Sequence, residues 1–131
     1  MENIVISGAA SGIGAATARL FHARGWRGGL LDGDAQARGG LAAELDGAWH
    51  TRLDVVDAGA VRAALADFCA QSGGQLRLLF NGAGILRTGA FVDIELEHHA
   101  RLVQINVLGL LNLCHAAFPY LKATPEAQVI N

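Results

Sequence analysis

Hydrophobic positions along this chain switch repeatedly between two periods. Short apolar, often β-branched runs read as buried strands at residues 2–7, 28–31, 48–52, 76–80 and 128–131. Between them, apolar residues recur at helical spacing over 13–24, about 35–45, roughly 58–72 and a long stretch of about 95–121. Glycine punctuates the series: Gly25 closes the first helix and Gly73-Gly74 stops the third. The long helix is expected to be irregular near Gly109 and Pro119. Strand and helix alternating with apolar strands imply an α/β fold: a parallel sheet with helices on both faces. Right-handed crossovers make it doubly wound, with the turn after the first strand at a topological switch point.

The long helix carries more apolar surface than one sheet can cover. Leu96, Ala100, Val103, Val107, Leu110, Cys114, Ala117 and Leu121 form one stripe, and Leu102, Ile105, Leu113 and Ala116 a second face. The second face is expected to need a partner, either further chain or another subunit. Residues 102–121 are also about as long as a membrane span, but Gln104, Asn106, Asn112, His115 and Pro119 point to a buried or interface helix instead.

Composition narrows the class. The 131 residues amount to one domain, and 52% hydrophobic with 17% charged residues exclude disorder. A net charge of −2 lacks the basic footprint of a nucleic-acid binder. Cys69 and Cys114 form no C-x-x-C motif and read as reduced thiols of a cytoplasmic protein. The first strand starts so early that no signal peptide is expected before it.

The candidate chemistry begins at I-V-I-S-G-A-A-S-G-I-G, Ile4 to Gly14. A strand, a glycine turn and a helix in that order form the context in which glycines bind phosphate. Gly8, Gly12 and Gly14 let the backbone approach a ligand, and the first helical turn offers unpaired N–H groups and a positive dipole end. The spacing G-x-x-x-G-x-G differs from the commoner dinucleotide fingerprint. Ala15 and Ala16 stand where a P-loop would need Lys-Ser or Lys-Thr. Asp32 ends the second strand, eighteen positions after Gly14. A carboxylate there can accept from ribose hydroxyls and repel a 2′-phosphate, favouring NAD over NADP, and neither Ser11 nor Gly33 adds a positive charge. Its alternative reading is a turn aspartate, although Asp34 is the better helix cap. After the third strand, Asp54 could accept from an adenine amino group while the Val55 N–H donates to a ring nitrogen; Asp57 suits the cap of the next helix. The turn F-N-G-A-G, Phe80 to Gly84, has the small residues that keep a cleft floor open, and the Asn81 amide could cross-link strands.

In this order and spacing, these pieces resemble the short-chain dehydrogenase/reductase family along the whole chain, with Asn106 in I-N-V-L-G as a further match. The resemblance implies a Rossmann-type doubly wound sheet of strand order 3-2-1-4-5 and an NAD cofactor. It places Gly8, Ser11, Gly12, Ile13 and Gly14 at the pyrophosphate, Asp32 at the ribose and Asp54 with Val55 at adenine. Asn81, Ala83 and Gly84 would flank the cofactor, and Asn106 would join the catalytic relay by holding a water. Gly82 stands where the family most often has a second asparagine.

The family's chemistry also needs a Ser and a Tyr-x-x-x-Lys. The only tyrosine is Tyr120, Thr124 lies four residues on, and the only lysine is Lys122. Ser7, Ser11 and Ser72 are in the wrong regions. The expectation is a single dinucleotide-binding domain over 1–131, truncated in its fifth strand and inactive alone. Its parent would pass hydride between NAD(H) and a small alcohol/ketone pair, with no nucleic-acid or membrane partner and with homo-oligomeric assembly. The rival expectation is a non-catalytic nucleotide-binding or interaction module that self-associates through the long helix. No metal site is expected, since the adjacent His98 and His99 point about 100° apart on a helix.

Overall fold

The computed structural model describes residues 1–131. Five parallel strands, β1 (Asn3–Ser7), β2 (Arg27–Asp32), β3 (Trp49–Arg52), β4 (Leu78–Asn81) and β5 (Gln128–Ile130), form one sheet in the order β3-β2-β1-β4-β5. The helices α1 (Gly12–Ala23), α2 (Ala35–Glu44) and α3 (Ala58–Ala70) connect the first four strands. One continuous helical segment then joins β4 to β5: α4 (Leu96–Val103), a π-helical turn (Gln104–Gly109) and α5 (Leu110–Lys122). This is the doubly wound, Rossmann-type sheet and strand order expected from the sequence.

The strands divide their side chains between two cores. Ile4, Ile6, Leu30 and Leu78 join Ala15, Ala18, Leu41 and Leu45 on the α1–α2 face. Val5, Leu31 and Leu79 point the other way and meet Val61, Leu65, Phe68 and Leu113 on the α3–α5 face. The period-two alternation of a strand buried on both sides produces this split. Gly29 in β2 makes room for it: a Cβ there would lie 2.8 Å from the Phe68 ring, which is fully buried.

Asp34 and Asp57 cap α2 and α3, accepting at 3.0 Å from the Ala37 and Ala60 amides respectively. Trp26 packs edge-on to Phe21, and Trp49 packs against Phe68. The helix from Leu96 to Lys122 departs from the sequence reading in two respects. Its irregularity is confined to the π turn ending at Gly109, whereas Pro119 lies inside α5 without breaking it. Both faces reach the core: Leu113 of the second and Ala117 of the first are buried, with Ile105 and Ala116, and Cys114 and Leu121, packed beside them. The uncovered surface lies instead on Val103, Val107, Leu111 and Phe118. The extra residue of a π turn rotates everything before it, so a constant helical step misplaces the stripe. By length and composition the segment could cross a membrane. In this fold α5 packs on α3 and β4.

Candidate functional site

At the C-terminal ends of β1, β2, β3 and β4 lies a cavity of about 590 Å³, within the usual size of a small-molecule site. It sits where the chain reverses direction across the sheet, between β1 and β4. Gly8, Ser11, Ile13, Gly14, Asp32, Asp54, Val55, Ala83 and Gly84 all line it. Gly12, Asn81 and Asn106 do not.

The glycine turn has no room for side chains. Gly8 has φ +68°, and a Cβ on it would sit 2.6 Å from the Gly82 carbonyl oxygen. A Cβ on Gly14 would overlap the Gly8 oxygen. Gly12 has open space around it but φ +54°, which suits glycine best. Gly82 belongs to the same close approach: its Cβ would meet the Ser7 oxygen at 2.7 Å. The Gly82 amide donates to that oxygen, and the Ala83 amide donates to Ser7 Oγ at 3.2 Å. This packing is the physical setting of the glycine that replaces the family's usual asparagine.

The Gly12, Ile13 and Gly14 amides, at the start of α1, have no acceptor within the chain. Ser11 occupies the N-cap without a side-chain bond to the helix. Ile13 is 77% exposed at the cavity wall. Free N–H groups at a helix N-terminus, beside an uncovered apolar side chain, are what an anionic phosphate attached to an organic moiety requires.

Asp32 makes the turn contacts of its alternative reading and also lines the cavity. Its Oδ2 accepts from the Ala10 amide at 2.9 Å and its Oδ1 from the Asp34 amide at 2.8 Å. A carboxylate has about four acceptor positions, so two backbone bonds leave capacity facing the cavity. Asp54 Oδ1 accepts from the Val56 amide at 3.0 Å, and its Oδ2 pairs with Arg101 at 3.2 Å. The Val56 N–H foremost, with the Arg101 guanidinium behind it, holds the Asp54 carboxyl below the usual carboxylate range. Burial, by contrast, pushes the Cys69 thiol up to about 11, as befits an inert core cysteine.

Asn81 and Asn106 are positioned by a different logic. Asn81 Nδ2 donates to Asn131 Oδ1 at 2.8 Å and to Cys114 Sγ at 3.4 Å, linking β4 to the end of β5 and to α5; its Oδ1 is buried with no partner. Asn106, in the π turn, donates from Nδ2 to the Ile85 oxygen and accepts at Oδ1 from the Ile85 amide, both at 2.9 Å. Its amide therefore fastens the segment after β4. The π turn itself is wedged against β3's exit: a Cβ on Gly109 would overlap the Val55 side chain, and Asn112 Nδ2 donates to the Val55 oxygen at 2.9 Å. Of the apolar residues after β4, Ile85 lines the cavity, while Leu86 and Phe91 are exposed away from it. His99 stacks on Phe91, and His98 contacts Arg87.

Sequence reasoning missed Arg52 and Arg101, which also line the cavity. Arg52 ends β3 and is the ladder partner of Asp32. Arg101 comes from α4, five residues before Asn106. The signal for Arg52 was the parallel register of β2 and β3; nothing local marks Arg101. Tyr120 packs against the α3–α5 core, and Thr124 Oγ1 bonds the Tyr120 oxygen and the Leu76 amide. Neither reaches the cavity.

The sequence model of the short chain dehydrogenase family matches residues 2–131. The chain belongs to the short-chain dehydrogenase family. It is 35% identical over 131 residues to a D-threitol dehydrogenase of Mycolicibacterium smegmatis, covering 97% of this chain and 50% of that protein. A serine 3-dehydrogenase of Agrobacterium fabrum is 37% identical over 120 residues, covering 90% and 48%. The alcohol dehydrogenase of Thermococcus sibiricus, solved in complex with 5-hydroxy-NADP, superimposes with a TM-score of 0.90 at 25% identity, covering 98% of this chain and 57% of that one. The chain thus spans about half the length of the curated relatives it matches.

Proposed function

We propose that this chain is the cofactor-binding portion of a short-chain oxidoreductase that uses NAD and acts on a small alcohol/carbonyl pair. The observation that carries the reading is the set of unpartnered Gly12, Ile13 and Gly14 amides in a cradle that any Cβ at Gly8 or Gly14 would fill. That cradle fits a pyrophosphate. Bound there, NAD would supply the hydride acceptor. The amides and the dipole of α1 would neutralise the diphosphate. Asp32, oriented by the Ala10 and Asp34 amides, would accept from the ribose hydroxyls with its remaining lone pairs. Asp54 and Val55 would bound the adenine, and Ala83 and Gly84 would let the nicotinamide half lie close to the end of β4. The Asn106 side chain is committed to Ile85, so a water held by this residue would rest on its backbone carbonyl in the π turn. With neither Tyr-x-x-x-Lys nor a serine near Asn131, these 131 residues bind cofactor and turn over no alcohol on their own.

Calorimetry of the chain with NAD⁺ tests the reading. Micromolar binding that weakens in Asp32→Ala supports it; a folded chain that binds neither NAD⁺ nor NADP⁺ contradicts it. NADH formation from secondary alcohols at an ordinary enzymatic rate would contradict the claim of inactivity.

A second reading, an interaction module, draws on the exposed ridge of Val103, Val107, Leu111 and Phe118. The two are compatible: a cytoplasmic oxidoreductase assembling as a homo-oligomer through this helix would use both cavity and ridge.

A further inference from the structure

Aspartate or asparagine is followed by glycine at three places: Asp32-Gly33, Asp46-Gly47 and Asn81-Gly82. Such pairs share one reaction. The backbone nitrogen of the second residue can attack the side-chain carbonyl carbon of the first and close a ring, and a glycine with no Cβ leaves that approach open. The fold decides which pair is free to react.

Two of the three are held. Asp32 is half-buried, and its carboxylate is fixed by the Ala10 and Asp34 amides. At Asn81-Gly82 both reacting groups are engaged. Asn81 Nδ2 donates to Asn131 and Cys114, its Oδ1 is buried, and the attacking Gly82 N–H already donates to the Ser7 oxygen at 3.1 Å.

Asp46-Gly47 has none of these restraints. Both residues are exposed, in the connection between α2 and β3. The Asp46 carboxylate enters no ion pair, and the aspartates that accept from backbone amides are Asp32, Asp34, Asp54 and Asp57. The Ala48 amide donates to the Leu45 oxygen at 3.0 Å, closing a turn in which Gly47 has φ +77° and Asp46 a negative φ, as in type II. The central peptide of that turn, made of the Asp46 carbonyl and the Gly47 N–H, forms no hydrogen bond within the chain. It can rotate to bring the nitrogen onto Cγ without breaking a bond.

We propose that Asp46-Gly47 is a site of spontaneous backbone modification, at which aspartate converts to isoaspartate in the folded protein. The Gly47 nitrogen bonds to Cγ of the Asp46 carboxyl, and one carboxyl oxygen leaves as water, taking the amide proton and the carboxyl proton. Water then adds to the α-carbonyl carbon of the ring and breaks its bond to nitrogen. The chain now runs through the former side chain, and a carboxylate hangs from Cα. Nothing is oxidised or reduced, and one water is released for one consumed. The product places an extra methylene in the backbone between Leu45, a core residue, and Ala48, so the Ala48–Leu45 hydrogen bond is lost. Asp46 and Gly47 line a smaller cavity with His22 and Trp26, at the end of the sheet opposite the dinucleotide cavity, and the inference stands apart from the reading of that site.

Incubation of the folded 131-residue chain at neutral pH and physiological temperature, followed by peptide mapping with electron-transfer fragmentation, tests it. Isoaspartate accumulates at Asp46 at least about tenfold faster than at Asp32 or Asn81, where a hydrogen bond must break before the ring can close. In denaturant that restraint is gone, and Asn81-Gly82, which releases ammonia, becomes the fastest pair. Asp46→Glu suppresses the product, because its longer side chain closes a less favourable ring, and Asp46→Asn raises the rate. The Asp46 side chain makes no ion pair or hydrogen bond, so both variants should melt at the native temperature. Isoaspartate appearing first at Asp32 or Asn81 in the folded chain overturns the proposal. So does a folded chain that forms none at Asp46 over a period in which the denatured chain does. In the isolated product, exchange of the Ala48 amide accelerates; unchanged exchange overturns the effect assigned to the turn.

Discussion

Asp32 Oδ2 accepts a hydrogen bond from the Ala10 amide at 2.9 Å, tying the end of β2 to the glycine turn that follows β1. One carboxylate therefore both braces the glycine turn and lines the cavity. Asp32→Ala should reduce stability by about 1–3 kcal/mol, because the Ala10 and Asp34 amides lose their acceptor, and should weaken NAD⁺ binding. Asp32→Asn keeps one acceptor oxygen and should recover part of the stability. Chemical denaturation alongside calorimetry checks both; a variant that loses stability yet binds NAD⁺ like the native chain would leave Asp32 with a turn role only.

Glycine substitutions should rank by geometry. Gly14→Ala places a methyl on the Gly8 oxygen and should cost about 2–4 kcal/mol through forced displacement of the turn. Gly39→Ala, on α2 with nothing within 4 Å, should be stabilising by roughly 0.5–1 kcal/mol. Thermal melts of the two variants give the order directly.

Asn106→Ala removes both bonds to the Ile85 backbone. Amide exchange of the segment after β4 should accelerate, while amides of α1 and β2 keep their native protection. Uniform acceleration across the chain would mean that Asn106 supports the whole fold instead.

The Asp54 carboxyl is held low by the Val56 amide and by Arg101, so its native state favours the ionised form. A group depressed on folding contributes stability above its unfolded value, and that contribution fades as pH falls through the lower folded value. The excess stability of the native chain over Asp54→Asn should therefore be present at pH 7 and decline below about pH 4. Half-exposure of the pair keeps the effect near or below about 1 kcal/mol. Denaturation midpoints at pH 7, 4 and 3 read it out.

The ridge at Val103, Val107, Leu111 and Phe118 should drive self-association. Phe118, 61% exposed, touches little of its own fold, so Phe118→Glu should shift sedimentation toward monomer without lowering the melting temperature. A native chain that sediments as a monodisperse monomer would remove this account of the ridge.

What the sequence disclosed follows from the range of the interactions involved. Strand periodicity, the glycine cluster and the caps at Asp34 and Asp57 are local, so the doubly wound fold and the glycine turn were legible, while the sheet order came from the family resemblance. The inward face of the long helix was legible only after the π turn, at Cys114, Ala117 and Leu121, because the turn at Gln104–Gly109 changes the helical phase and leaves Val103 and Val107 exposed. Arg52 was hidden for a related reason. Its place beside Asp32 depends on strand register, which a reading of Ser11 and Gly33 alone does not sample. The Asn81 amide was legible as a cross-link between strands, though not its partner Asn131; the bonds from Asn106 to the Ile85 backbone, 21 residues distant, had no local signal.

The central claim is that the turn from Gly8 to Gly14 holds a dinucleotide diphosphate. Backbone amide NMR of the labelled chain, titrated with NAD⁺, tests it most directly. The account predicts saturable shifts at Gly12, Ile13 and Gly14, with smaller ones at Gly33, Val55 and Gly84, and none at Phe118. A folded chain whose Gly12, Ile13 and Gly14 resonances stay fixed at millimolar NAD⁺ and NADP⁺ would contradict it.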